Sequence, residues 1–288
     1  MSTLDATAKR IVITGAASGI AQATLAELQR RGARVVGLDL NAEPDGELIA
    51  CDVRDQASVD RAVAAAIERL GGLDVLINCA GLATPQSAGL APDAKALAVI
   101  DVNMLGPWRV ASGALPALRQ THGRVVNVAS GMAFVALPFA PAYAMSKHGI
   151  RAYSQALRLE HSDAISVTTV YPGFIRTPIH KDSIEFGLTL DGSSPEETLE
   201  SAVDALVRAA LEDTPPRDIV TTRTGKFTVA LTRYLPGRLV DFIVLNAARK
   251  GLKKQTLDHA QPPLLEFAER LRGRPTYTGS RWRARRRR

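Results

Sequence analysis

Short apolar runs rich in Val and Ile recur along the chain. They alternate with longer stretches in which Ala, Leu and Arg repeat at helical spacing. The runs predict strands at 10–14 (RIVIT), 34–39 (RVVGLD), 47–52 (ELIACD), 73–78 (LDVLIN), 123–130 (GRVVNVAS), 165–172 (ISVTTVYP) and 217–222 (RDIVTT). The amphipathic stretches predict helices near 19–31, 56–70, 94–119, 142–161 and 195–212. The strand runs are apolar along their length, the pattern of strands covered on both faces, so a parallel sheet is expected. Strand–helix alternation over some 220 residues predicts an α/β fold: a Rossmann-like, doubly wound parallel sheet of about seven strands with helices on both faces. Residues 1–222 are expected to form this domain, 223–272 a helical C-terminal extension of it, and 273–288 a basic, disordered tail.

In the extension, Pro236 breaks the pattern into two segments. In the second, Leu239, Val240, Ile243 and Ala247 share one helical face, flanked by Arg233, Arg238, Arg249, Lys250, Lys253 and Lys254. Packing of that face against protein is expected, as a dimer contact or a cover over the substrate cleft, with peripheral membrane contact through these helices as the alternative.

Composition fits a soluble globular protein: 288 residues, 46% hydrophobic and 23% charged. The net charge of +7 describes the terminus, because the last eight residues, RWRARRRR, hold six Arg; without them 30 basic face 29 acidic residues. No specific nucleic-acid partner is therefore expected. Cys51 and Cys79 form no metal spacing and the five His are scattered, so no metal site is expected. The absence of an apolar N-terminal segment and of any run of 18 apolar residues points to a cytoplasmic setting.

In doubly wound folds, ligands bind beyond the carboxyl ends of the strands, and that is where the chemically suggestive residues fall. ITGAASGIA (13–21) follows the first strand and opens a helix. Gly15 and Gly19 permit a tight turn, and the helix N-terminus offers N–H groups to a pyrophosphate. Asp39 ends the second strand, about 20 residues beyond Gly19, where a carboxylate accepts hydrogen bonds from ribose hydroxyls and repels a 2′-phosphate. NAD is therefore favoured over NADP. Asp52, at the third strand end, is a candidate partner for an adenine amino group. AYAMSKHGI (142–150) sets Tyr143 one helical turn before Lys147. A phenol is a poor base at neutral pH, and a neighbouring ammonium favours its ionised form.

Taken in order, TGAASGI (14–20), NCAG (78–81), Asn103 in DVNMLG, Ser130 in VVNVAS, Tyr143, Lys147 and YPGFIRTP (171–178) resemble the short-chain dehydrogenase/reductase family, classical type, over about residues 8–222. Two positions depart from the pattern: Ala21 stands where a third Gly is usual, and Cys79 replaces the second Asn of N-N-A-G. The resemblance implies a cofactor site of Gly15, Ala17, Ser18, Gly19, Ile20, Asp39, Asp52, Val53, Asn78, Ala80, Gly81, Tyr143, Lys147, Pro172, Gly173, Ile175 and Thr177. It implies a catalytic set in which Tyr143 exchanges a proton with a secondary alcohol, Ser130 hydrogen-bonds its oxygen, Lys147 lowers the phenol pKa and holds the nicotinamide ribose, and Asn103 holds a water that links Lys147 to solvent. It also implies a homodimer or homotetramer through the helices carrying Asn103 and Tyr143.

Met132, Phe134, Leu137 and Phe139, with Phe186 from the stretch that forms a lid in the family, are the candidate substrate wall; they suggest a lipophilic alcohol or ketone such as a steroid, terpenoid or long-chain compound. The leading reading is an NAD(H)-dependent oxidoreductase interconverting a secondary alcohol and a ketone. A same-fold epimerase or dehydratase, or a non-catalytic dinucleotide sensor or scaffold, are the alternatives.

Overall fold

The structure, a computed structural model, describes residues 6–43, 46–188, 196–254 and 260–272. The basic terminus 273–288 lies outside the described residues. Seven strands form one parallel sheet: β1 (Arg10–Thr14), β2 (Arg34–Asp39), β3 (Ile49–Ala50), β4 (Val75–Asn78), β5 (Arg124–Val128), β6 (Ser166–Tyr171) and β7 (Asp218–Val220), in the order β3-β2-β1-β4-β5-β6-β7. The order reverses between β1 and β4, where Ile11 pairs with Val75 and Ile13 with Ile77. That is the switch point at which such sheets open a crevice.

The helices that cross the sheet start and stop on local chemistry. Helix α1 (Gly19–Arg30) follows the glycine turn. Helix α2 (Gln56–Leu70) is capped by Asp55, whose carboxylate accepts from the Ala57 and Ser58 N–H groups, and it ends at Gly71 in the left-handed region. Helix α3 (Ala94–Ile100) is capped by Asp93, and α5 (Pro141–Glu160) opens on a proline, whose missing N–H costs nothing in the first turn. The helix expected over 94–119 is interrupted: a turn of π-helix at Asp101–Leu105 separates α3 from α4 (Gly106–Gln120). The irregular turn meets the start of α4, where Pro107 has no N–H to continue an α ladder. The strand expected over 47–52 shrinks to two residues at the sheet edge, because only Leu38 and Asp39 pair with it.

Two apolar layers sandwich the sheet. On one face α2 and α4 cover Val12, Val36, Leu76 and Val125. On the other, α1 and α7 (Leu199–Leu211) cover Ile11, Ile13, Ile77 and Val126. Neighbouring strand residues thus feed opposite layers, which is why the runs read as continuously apolar.

Beyond the carboxyl ends of the strands lie α6 (Lys181–Glu185), α8 (Arg223–Tyr234), α9 (Gly237–Lys254) and α10 (Pro262–Arg272). Helices α9 and α10 close over Phe139 in a separate apolar cluster with Leu252, Leu264 and Ala268. The face of α9 expected to pack is rotated: Leu239, Ile243 and Ala247 are exposed, whereas Gly251 and Leu252 are buried. The contacts with Phe139 and Leu264 lie C-terminal to the predicted stripe and set this rotation.

Candidate active site

The crevice at the switch point is the mouth of a cavity of about 1030 Å³. Its dinucleotide end is built by the β1–α1 turn. Gly15 adopts φ +75° and Gly19 φ +57°. A Cβ on Gly15 would stand 2.7 Å from Ala80 Cα, so only glycine lets the turn lie against the chain after β4. The buried Thr14 hydroxyl accepts from the Cys79 and Ala80 N–H groups at 3.0 and 3.1 Å, fixing that approach from the other side. Ser18, the N-cap of α1, makes no side-chain cap bond, so the helix N-terminus is left to the cavity it lines.

Asp39 is buried and lines the same end. One carboxylate oxygen accepts from Ala17 N–H and the other from Asn41 N–H, each at 2.9 Å, so the acidic side chain holds the glycine turn in shape. Asp52 is differently placed: Arg54 clamps its carboxylate at 2.7–3.2 Å and holds its pKa below the usual carboxylate value. Gly15, Ala17, Ser18, Gly19, Ile20, Asp39, Asp52, Val53, Ala80, Gly81, Pro172, Gly173, Ile175 and Thr177 all line the cavity.

Asn78 does not. It is buried under the crevice, where its amide donates to Asn127 Oδ1 at 2.9 Å and to the Pro107 carbonyl. Asn127 in turn donates to Ser154 Oγ at 2.9 Å. This polar chain ties β4, β5 and α5 together, so Asn78 positions strands rather than facing a ligand.

At the centre, Ser130, Tyr143 and Lys147 share the cavity wall. Ser130 caps a short 3-10 turn at the end of β5, where its hydroxyl accepts from Met132 N–H at 3.2 Å. Burial raises the Tyr143 phenol pKa, and the neighbouring Ser130 hydroxyl pulls it down. Lys147 Nζ sits 5.5 Å from the Tyr143 ring centre and donates to the Val128 carbonyl at 3.0 Å. Lys147 is only 4% exposed, and burial brings its pKa down to about 8. Burial pushes the neighbouring Cys79 thiol up to about 11, which keeps it neutral. The expected lowering of the phenol by Lys147 is therefore opposed by desolvation of both groups.

Asn103 lies in the π turn, 1% exposed. Its Oδ1 accepts from Leu82 N–H at 2.7 Å, and its Nδ2 donates to Leu82 O at 2.8 Å and Ser146 Oγ at 3.1 Å. Both ends of the amide thus have protein partners, and the side chain clamps the loop after β4 to α5.

Of the candidate wall residues, Met132, Leu137 and Phe139 line the cavity. Phe134 and Phe186 do not. Phe134 packs on Tyr171 at 4.8 Å under the Arg151 guanidinium, and Phe186 stands behind Phe139 at 5.7 Å. The opposite wall comes largely from the C-terminal extension, in the role of a cover over the cleft that the sequence offers for it, although the sequence does not single out the residues of α9 and α10 that line it. Val244, Leu252, Leu264 and Phe267 of α9 and α10 line it, with Ile179 and His180. Burial lowers the His180 pKa, which leaves the ring neutral at pH 7. Sequence reasoning also missed Glu197, a buried carboxylate that accepts from Gly173 N–H at 2.6 Å, Thr221 Oγ1 at 2.7 Å and Ser201 Oγ at 2.9 Å. It anchors the PG turn across 24 residues, a link that no local pattern announces. Among the described residues no group of three metal-ligating side chains occurs.

The family profile for short chain dehydrogenase matches residues 9–186. The chain belongs to this family. Oxidoreductase UcpA of Escherichia coli (strain K12) is 31% identical over 222 residues, covering 72% of this chain and 83% of that protein. Retinol dehydrogenase 16 of Mus musculus is 36% identical over 185 residues, 59% of this chain and 58% of that protein. A short chain dehydrogenase from Burkholderia cenocepacia J2315, solved in complex with NADP, aligns with TM-score 0.67 and 27% identity over 79% of this chain and 95% of its own. The chain is thus a member of an oxidoreductase family that binds a nicotinamide dinucleotide and acts on small alcohols and ketones. Its seven-stranded sheet and the helices on both sides are as the sequence predicts. Among the described residues no helix is long and apolar enough to cross a membrane.

Proposed function

We propose that this protein interconverts a lipophilic secondary alcohol and its ketone with NAD(H). The observation that carries this reading is the cavity itself: Ser130, Tyr143 and Lys147 stand between an acidic, glycine-walled end and an uncharged, apolar one. The residues present suit the dinucleotide. Asp39 keeps carboxylate acceptors at the ribose end, and it would repel a 2′-phosphate. The nearest lining cation, Arg54, is neutralised by Asp52. Glycine backbone and the uncapped start of α1 suit a pyrophosphate.

An oxidised nicotinamide, when bound, would supply the hydride acceptor and a positive charge that favours the phenolate. Tyr143 takes the proton from the substrate hydroxyl, and returns it in the reverse direction. Ser130 donates a hydrogen bond to that oxygen where negative charge grows. With a pKa of about 8, Lys147 remains mostly protonated at neutral pH, and an ammonium one helical turn from a phenol favours its ionised form against the rise that burial imposes. Asn103 and Glu197 act as positioning residues for the loops on either side.

The substrate end has Leu137, Phe139, Val244, Leu252, Leu264 and Phe267 on its walls and neutral His180 as a polar handle. Such a surface favours a large apolar body over a charged one. Exposed Trp108 on α4 and Met145 and Leu159 on α5 offer an apolar face for a homo-oligomer. The test is NAD⁺ reduction across steroid, terpenoid, long-chain and short polar alcohols, repeated with NADP⁺. Higher kcat/KM for the large apolar alcohols with NAD⁺ is expected. A preference for short charged hydroxy acids, or for NADP⁺, would overturn the corresponding part of the reading.

A further inference from the structure

The charge of this chain is segregated. Residues 1–222 carry 19 basic against 25 acidic side chains, whereas residues 223–254, which make up α8 and α9, carry eight basic against one acidic, Asp241. Among the described residues none of Arg223, Lys226, Arg233, Arg238 or Lys250 takes part in an ion pair, and all five are exposed.

The same two helices carry apolar side chains that the fold leaves uncovered. On α8, Phe227 is 67% exposed and Tyr234 79%, with exposed Ala230 between them. On α9, Leu239, Ile243 and Ala247 recur every four residues on the outward side. Each helix turns its other side inward: Thr224, Gly225 and Thr228 of α8, and Val244, Ala248 and Leu252 of α9, line the cavity. Ala247 belongs to both surfaces, so the outward stripe reaches the rim of the substrate end.

We infer that α8 and α9 form a docking surface for an anionic lipid bilayer, lying flat on it with the mouth of the cavity beside the headgroups. Exposed aromatic and aliphatic side chains ringed by cations that make no ion pair meet both requirements of such contact: apolar area to bury at the headgroup boundary and positive charge to face anionic lipid. A strongly acidic partner protein would match the charge but not a stripe distributed over two outward helix faces. A second copy would bring its own +7 helix pair against the first, or would have to meet the mildly acidic body.

The experiment is flotation of the full chain with vesicles of phosphatidylcholine, with and without phosphatidylglycerol, in about 0.1 M salt. Binding is expected only with phosphatidylglycerol and is expected to weaken as salt rises. Two double variants divide the contributions. Arg238→Gln with Lys250→Gln should weaken partitioning about 30-fold, since each basic side chain at an anionic surface contributes about fivefold. Phe227→Ser with Ile243→Ser should weaken it at least tenfold. Neither pair lines the cavity, so turnover of a water-soluble alcohol and binding of NADH should be unchanged in both. The inference is overturned if the chain ignores anionic vesicles. It is equally overturned if both variants bind as the parent does, which would assign the attraction to the arginines of 281–288. Conversion of a dimer to a monomer by the Phe227/Ile243 variant, without vesicle binding by the parent, would show that a second copy covers this face.

Discussion

Replacing Lys147 by Met should remove activity and yet leave a protein at least as stable at neutral pH. The ammonium is 4% exposed, and burial brings its pKa from 10.5 down to about 8. At 1.36 kcal/mol per pH unit, that gap corresponds to about 3 kcal/mol by which the fold disfavours the charged form. Below pH 8 both folded and unfolded chains hold the proton, so the cost is constant. Between about 8 and 10.5 only the unfolded chain holds it; the unfolded state then binds more protons, and native stability rises with pH. Above 10.5 neither holds it and the cost is gone. Methionine has no charge to bury, but it leaves the Val128 carbonyl without its donor at 3.0 Å, a loss of about 1–3 kcal/mol. The net expectation at pH 7 is a gain of about 1 kcal/mol, which in a chain of this size is a few degrees in Tm. Urea unfolding of both proteins at pH 7 and pH 10 measures this. The parent should gain about 2–3 kcal/mol relative to the variant between the two pH values. Cys79 and Tyr143, both raised by burial, leave most of that window to Lys147. Parallel pH dependence in parent and variant, or a variant weaker by several kcal/mol at pH 7, would refute the reasoning.

Tyr143→Phe should abolish turnover while NADH binding, followed by fluorescence, stays within about twofold of the parent; full activity would remove the proton-transfer assignment. Gly15→Ala combines a left-handed residue with a Cβ 2.7 Å from the Ala80 backbone, and should cost about 2–5 kcal/mol in urea unfolding and weaken dinucleotide binding. Asp39→Ser should lower the NAD⁺ over NADP⁺ ratio of kcat/KM at least tenfold, and also destabilise the glycine turn, because Ala17 N–H loses its acceptor. Phe139→Ala should reduce kcat/KM for large apolar alcohols more than for small ones, whereas Phe134→Ala, facing Tyr171 outside the cavity, should alter stability without changing that ratio.

The sheet was legible because each strand is buried on both faces and so reads as an uninterrupted apolar run between turn residues. The β1–α1 turn, the strand-end Asp39 and the Tyr143–Lys147 pair were legible because their geometry is local: a few residues fix each one. What was not legible is what distant segments decide. Helix α3 reads straight into α4 in periodicity, and the π turn between them, where Asn103 is clamped on Leu82 and Ser146, leaves no mark in that pattern. Asn78 and Phe134 sit in strings that point to the crevice, but tertiary partners, Asn127 for one and Tyr171 for the other, turn them elsewhere. The far wall of the cavity comes from residues a hundred positions beyond Leu137, and Glu197 reaches back to Gly173 across a loop.

That late-arriving wall has a consequence for biosynthesis. Phe139 finds its cover in Leu252, Leu264 and Ala268, residues that leave the ribosome more than a hundred codons later. At about 5–20 residues per second the nascent chain waits several seconds or longer with this greasy floor bare, and its sheet is completed at β7 before the cover arrives. A premature stop after β7 would leave it so permanently, and such a product should be captured by chaperones or precipitate instead of accumulating as a smaller enzyme.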